Sequence, residues 1–90
     1  MGIFLKDPDA RLDYAVDWSA DFLGAATIAA STWTVDPTGV TVGATVATPS
    51  RTGATIEGGV AGIVYRVVNH ITLSDGRSDD RTLALRIEAR

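Results

Sequence analysis

The chain has 90 residues, which suits a single domain over 1–90 with one apolar core. Its 46% hydrophobic and 21% charged residues exclude the disordered class, and the lack of cysteine excludes disulfides and thiolate ligands. A net charge of −3 without a basic stripe argues against a nucleic-acid partner. No apolar run is long enough for a membrane span and no signal-peptide pattern is visible, so we expect a soluble, unprocessed protein.

Alternation of apolar and polar residues predicts β-strands from the start of the chain. A short strand is predicted over 3–6, ended by Asp7-Pro8-Asp9 because proline cannot donate to a strand ladder. Residues 11–18 predict a half-buried antiparallel strand. Its apolar face consists of Leu12, Tyr14, Val16 and Trp18.

The next segment is less regular. Residues 19–24 predict one helical turn, with Ser19 able to cap it and Gly24 to close it. The alanines that follow permit a longer helix by propensity, but the β-branched and aromatic residues of 27–35 favour a strand. Beyond the predicted turn Asp36-Pro37-Thr38-Gly39, short strands are expected at 40–42, 44–47 and 54–57.

The last third of the chain predicts a long hairpin, with strands over 63–73 and 82–88 joined through Ser74-Asp75-Gly76. A two-residue loop would place the outward face of one strand opposite the core face of the other. A three-residue loop with Gly76 in the left-handed region avoids this conflict. It pairs the core residues Ile63 with Ile87, Tyr65 with Leu85 and Val67 with Leu83.

These elements predict an all-β fold, an immunoglobulin-like or fibronectin III-like antiparallel β-sandwich of about seven strands. The four large aromatic residues Tyr14, Trp18, Trp33 and Tyr65 are expected to pack in the core rather than to form a sugar-stacking platform. Trp33 is expected in the place of the central tryptophan of such sandwiches. Tyr65, near the start of the penultimate strand, matches the position of a tyrosine corner.

The sequence offers little for catalysis. His70 is the only histidine, lies mid-strand and has no cysteine or nucleophile-elbow serine to act on, so a catalytic triad is rejected. The acid pairs Asp7/Asp9 and Asp79/Asp80 lack the spacing of an EF-hand loop, and turn hydrogen bonding explains them better than a calcium site. The glycines of 58–62 lack the lysine and helix of a phosphate-binding loop. We expect no enzyme activity, cofactor or metal.

Motifs along nearly the whole chain resemble a known family of small tailed-bacteriophage proteins, the fiber-tail adaptor family. The first part contributes Phe4-Leu5-Lys6-Asp7-Pro8-Asp9-Ala10, Leu12-Asp13-Tyr14, Val16-Asp17-Trp18-Ser19, Thr27-Ile28-Ala29 and Ser31-Thr32-Trp33-Thr34-Val35. The last part contributes Gly62, Tyr65, Val67, Asn69, Ile71-Thr72, Gly76-Arg77, Asp79-Asp80-Arg81, Leu83 and Leu85-Arg86-Ile87. The resemblance implies a structural protein of the virion, placed between tail and fibre, and implies no catalytic residue.

The expected function is therefore that of a bacteriophage adaptor, made in the host cytoplasm and located in the tail or neck of the virion. It would link tail or neck proteins to fibres or neighbouring subunits, in several copies around a symmetric particle and without nucleic acid or membrane. The alternatives are a capsid decoration or neck protein and a carbohydrate-binding or adhesive module. An outward, weakly charged patch is the predicted interface, unless a second layer of the domain covers it. Its residues are Val64, Arg66, Val68, His70, Ala84 and Arg86.

Overall fold

A computed structural model describes residues 3–18 and 25–88, and the structural statements below concern these residues. They form seven β-strands and no helix, which confirms the predicted all-β class. The predicted helical turn at 19–24 lies outside the described residues. The strands are β1 (Ile3–Lys6), β2 (Arg11–Asp17), β3 (Ile28–Asp36), β4 (Val40–Ala47), β5 (Arg51–Gly58), β6 (Val64–Leu73) and β7 (Ser78–Ile87).

The strands form two sheets that share one core. The four-stranded sheet has the order β1-β7-β6-β3, and the three-stranded sheet has the order β2-β5-β4. Only β1 pairs in parallel, with β7, whereas the other neighbours in both sheets are antiparallel. Because side chains alternate between the faces of a strand, each sheet contributes every second residue to the core. The buried apolar residues are Val16, Trp18, Ala54, Ile56, Tyr65, Val67, Ile71, Leu73, Leu83, Leu85 and Ile87.

The central tryptophan is Trp18 and not Trp33, contrary to the expectation from the sequence. Trp18 is fully buried, whereas Trp33 is partly buried and packs against the core. Edge position does not account for the difference, because β2 and β3 are both edge strands. Trp18 Nε1 donates to Thr52 Oγ1 and Asn69 Oδ1 in the core, whereas Trp33 Nε1 has no hydrogen-bond partner among the described residues. The core role of the four large aromatic residues is otherwise confirmed, since Tyr65 is buried and Tyr14 packs against the core.

A buried polar network centred on Asn69 crosses the core. The Asn69 Oδ1 atom accepts hydrogen bonds from Thr52 Oγ1 at 2.5 Å and Trp18 Nε1 at 3.3 Å. Its Nδ2 donates to Ser31 Oγ at 2.8 Å and to the Thr32 carbonyl at 3.0 Å. Buried amides need such partners, because an unpaired polar group in a core is costly. The network therefore joins β6 to the edge strand β3 and to the opposite sheet.

The β6–β7 hairpin has the predicted loop and register. Leu73 N–H donates to the Arg77 carbonyl at 2.7 Å, which closes a three-residue loop, and Gly76 has a φ of +92°. Tyr65 pairs with Leu85 and Val67 with Leu83, as predicted.

Ile63 is the exception in this hairpin. Its carbonyl accepts a hydrogen bond from Ile87 N–H at 3.0 Å, so it does lie opposite Ile87. However, β6 begins one residue later, and Ile63 is 39% exposed. It therefore lies at the end of the sheet, where no facing strand covers it, and its predicted place in the core is wrong.

Several strand boundaries differ from the predicted ones. The two short strands at 40–42 and 44–47 are one strand, β4, with an irregularity between Val42 and Thr45. The predicted separator at 49–53 is partly strand, because β5 begins at Arg51. β7 begins at Ser78 rather than at 82, since its first residues pair with β6 although they lack apolar alternation. The turn after Asp36 is confirmed, and the Asp36–Pro37 peptide is cis.

Tyr65 makes the contact of a tyrosine corner. Its hydroxyl accepts a hydrogen bond from Val60 N–H, five residues upstream, at 3.0 Å. Gly39 lies against the Tyr65 ring, with a φ of +142°, and a Cβ atom there would lie 2.5 Å from the hydroxyl oxygen. A side chain at position 39 would therefore displace the ring. The close approach fixes the β3–β4 turn against the end of β6.

Candidate functional site

The six residues predicted as an interface lie together on the outward side of the four-stranded sheet, which we call the outer face. The pairing of β6 with β7 sets Val64 beside Arg86 and Arg66 beside Ala84. Val68 and His70 continue the same row along β6, because residues two apart on a strand face the same way. The structure therefore brings all six side chains onto one surface.

This surface is open to solvent. Val64 is 45% exposed, and the arginines and His70 are exposed as well. Val68 and Ala84 are partly buried, as expected for short side chains between long ones. No second layer made by the described residues covers the outer face, which was the alternative left open by the sequence.

Polar side-chain contacts hold part of the outer face in place. His70 Nδ1 contacts Asp80 Oδ1 on the neighbouring strand, and Arg86 Nε contacts Glu88 Oε1 at 2.8 Å. Arg66 makes no ion pair with any described residue. Arg66 lies between Ala84 on β7 and Asp36 on β3, and a guanidinium group that forms no ion pair there can bind a carboxylate or a carbonyl of another protein. Arg66 is therefore the strongest candidate for a directional contact.

The sequence did not identify Leu5 as part of this surface. The parallel pairing of β1 with β7 sets Leu5 beside Arg86, in line with Val64, and the side chain is 48% exposed. Alternation within β1 was visible, but nothing in the sequence indicated which strand it joins. Leu5 therefore makes the apolar end of the outer face larger than predicted.

The sequence also raised two other kinds of site, a metal site and a sugar-stacking platform of aromatic residues. Within 3–18 and 25–88, no group of three or more histidine or acidic side chains could hold a metal ion. Tyr14, whose pKa is raised by burial, contacts Phe4 edge-on at 5.6 Å between ring centroids.

The buried cation Lys6 is explained by structure as well. Its Nζ donates to the carbonyls of Asp7 at 2.9 Å and Gly58 at 2.7 Å. Burial lowers the pKa of this amine, and the nearby carboxylates of Asp7, Asp9 and Glu57 oppose that effect. Its hydrogen bonds tie the end of β1 to the end of β5 across the two sheets. This is a structural role, and it leaves the outer face as the candidate site.

A family model, described as podophage GP4 fiber-tail adaptor protein gp77, matches residues 6–86 of the chain. The chain belongs to this fiber-tail adaptor family. The match begins at the end of β1 and ends one residue before the end of β7, so it includes nearly the whole fold. It confirms the resemblance seen in the sequence motifs. The family is one of phage structural proteins of the virion tail.

A comparison with curated proteins found no match. The described part of the chain also contains no helix that is long and apolar enough to cross a bilayer. The family assignment therefore rests on the family model and on the motifs.

Proposed function

We propose that the protein is a non-enzymatic adaptor of the phage virion that docks onto tail, neck or fibre proteins through the outer face. The observation that carries this proposal is the family match over 6–86. The exposed patch on one sheet supplies the physical means of attachment. The adaptor acts in several copies within a symmetric particle and is made in the host cytoplasm.

The strand order supports an immunoglobulin-like sandwich for this adaptor. One sheet of such sandwiches contains the second, fifth and fourth strands, and the other contains the seventh, sixth and third. The orders β2-β5-β4 and β7-β6-β3 match this scheme, but β1 lies beside β7, whereas the first strand of constant-type sandwiches lies beside the second. The hydrogen bond between Tyr65 and Val60 N–H adds the tyrosine corner. In this fold the two outward faces and the sheet edges are the surfaces available to partners.

The chemistry of the outer face favours a protein partner. Exposed apolar side chains at Leu5 and Val64 provide area that gains free energy when it is buried. Arg66 provides a charge-assisted hydrogen-bond donor among them, and arginine is enriched among the residues that dominate binding energy. A surface of this kind, apolar at one end and cationic beside it, fits a partner with an exposed carboxylate next to an apolar patch.

The experiment compares two matched double variants in phage particles. V64D with R66E places acids on the outer face, whereas V46D with R51E makes the same charge change on the three-stranded sheet. Val46 is 65% exposed, so the control surface tolerates the change at least as well. Purified particles are analysed by quantitative mass spectrometry for the adaptor and for fibre proteins. We expect a loss of at least tenfold in incorporated adaptor or fibre for the first variant and normal particles for the control.

A map of the assembled particle locates the chain directly. Density for the adaptor between tail and fibre proteins, with β6 and β7 facing a neighbour, supports the proposal. Two results would contradict it. Absence of the chain from mature particles overturns the structural role, and equal incorporation of both double variants overturns the docking surface.

A further inference from the structure

The third strand has one side without a partner. β3 is the last strand of the four-stranded sheet and pairs only with β6 among the described strands. The β4–β5 loop reaches the first residue of β3, because Ile28 N–H donates to the Pro49 carbonyl at 2.9 Å. Beyond the bulge between Ile28 and Ala30, the register runs without interruption to Asp36. The free edge therefore runs from Ala30 to Asp36.

This edge lacks the usual protection against pairing with another strand. Natural edge strands carry lysine, inward charges, proline or bulges that prevent association. Asp36, at the end of β3, is the only charged residue between positions 22 and 50. The other candidate edges differ: β2 carries charges along its length, and β4 is interrupted near its middle by a bulge. β3 thus combines a regular edge with a single charged residue, Asp36, at its end.

A second copy of the same strand fits this edge. An antiparallel pairing centred on Trp33 keeps inward residues beside inward residues, because each position lies opposite one of equal parity. Thr32 then lies opposite Thr34 of the second copy, a pair whose side chains stabilise adjacent strands. Asp36 lies opposite Ala30 of the second copy, so like charges do not meet. The two four-stranded sheets become one continuous sheet.

We propose that two copies of the chain associate through antiparallel pairing of their β3 edges. A second copy is compatible with the free edge in this register, because inward residues lie beside inward residues and Asp36 lies opposite Ala30 rather than another acid. A two-fold contact of this type is closed, since the same edge serves both copies and no further copy can add there. It also joins the two outer faces side by side. The proposal does not depend on the adaptor function, because it concerns the pairing of strand edges, although Thr32 and Thr34 lie beside His70 and Val68 on the outer face.

The test uses charge repulsion and its reversal. In the double variant T32K with T34K, each lysine lies opposite a lysine of the second copy, and the variant T32E with T34E does the same with acids. Both threonines are exposed, so the changes spare the core. Sedimentation equilibrium should show a dimer for the unmodified chain and a monomer for each variant. An equimolar mixture of the two variants should restore the dimer, because lysine then opposes glutamate.

The control places two lysines on the neighbouring edge. Thr41 and Gly43 of β4 are exposed and lie outside the groove that Thr45 forms with Ala30 and Ser31, so T41K with G43K should leave the dimer unchanged. Amide exchange gives a second measurement: alternate amides of β3 should exchange more slowly as protein concentration rises. A chain that stays monomeric at millimolar concentration overturns the proposal. It does so even if β3 is found to bind a strand of another virion protein. A dimer that survives the β3 changes but is lost with the β4 changes also overturns it.

Discussion

The β6–β7 hairpin and the β3–β4 segment follow different rules, although both are antiparallel and rich in β-branched residues. In the hairpin, buried and exposed positions alternate along β6 over its whole length. In β4, the last five of eight residues are exposed, and in β3 no residue is fully buried. The hairpin lies in the middle of its sheet, whereas β3 and β4 are edge strands. A strand that pairs with a neighbour on each side, such as β6, has one face buried along its whole length. That burial gives its sequence a clear alternation of apolar and polar residues.

The largest expected difference between the regions concerns two isoleucines. Ile71 on β6 is fully buried, and Ile28 on β3 is partly buried. We expect Ile71→Ala to lower the free energy of unfolding by about 2–5 kcal/mol, because it removes apolar contacts and leaves a cavity. Ile28→Ala should cost about 1 kcal/mol, since less apolar area is lost and solvent fills the space. Urea denaturation followed by circular dichroism measures both, and equal costs would contradict the contrast.

An intermediate effect is expected at Asn69, which connects the two regions. Asn69→Ala removes the donors that Ser31 Oγ and the Thr32 carbonyl use, so β3 loses its polar contacts with β6 in the core. The expected cost is about 2 kcal/mol, the usual penalty for leaving buried polar groups without partners. Ser31→Ala alone should cost about 1 kcal/mol, and nothing further in the Asn69→Ala background. Strictly additive costs in this double-mutant cycle would show that the contact does not couple the strands.

The contrast between the hairpin and the edge strands also explains which structural features could be predicted from the sequence. The loop and register of the hairpin follow from the alternation of core residues, because only a loop with an odd number of residues places Tyr65 opposite Leu85. Asn69 was visible as a polar residue in an apolar row, but its partners on other strands were not. Trp33 and Trp18 have similar local patterns, and the hydrogen bonds of Trp18 Nε1 to Thr52 and Asn69, which make it the central tryptophan, join strands that are distant in sequence. The family came from motifs, whereas Leu5 joined the outer face through a parallel pairing that alternation does not encode.

The patch residues were predictable for the same reason as the hairpin. Val64, Arg66, Val68 and His70 alternate with buried residues of β6, so their outward direction follows from the register. That they are exposed depends on the absence of a covering layer, which alternation alone does not determine. The free edge of β3 was not predictable, because it depends on which strand ends the sheet.

The smallest expected effect is the difference in stability between removing two tyrosine hydroxyls, one with a hydrogen-bond partner and one without. Tyr65→Phe removes the acceptor of Val60 N–H at the start of the hairpin, so the free energy of unfolding should fall by about 1 kcal/mol. Tyr14→Phe on β2 is the matched control. Its hydroxyl is buried and has no hydrogen-bond partner among the described residues. Removing it should leave stability unchanged or raise it slightly, because an unpaired polar group no longer has to be buried.

The two tyrosine changes also differ in where they act. Tyr65 contacts Gly39 in the β3–β4 turn, so loss of its hydroxyl should speed amide exchange in the loop around Val60 and in that turn. Tyr14→Phe should leave exchange there unchanged. If both substitutions cost the same, the hydrogen bond to Val60 would contribute nothing specific, and the Tyr65 ring alone would hold the turn against the hairpin.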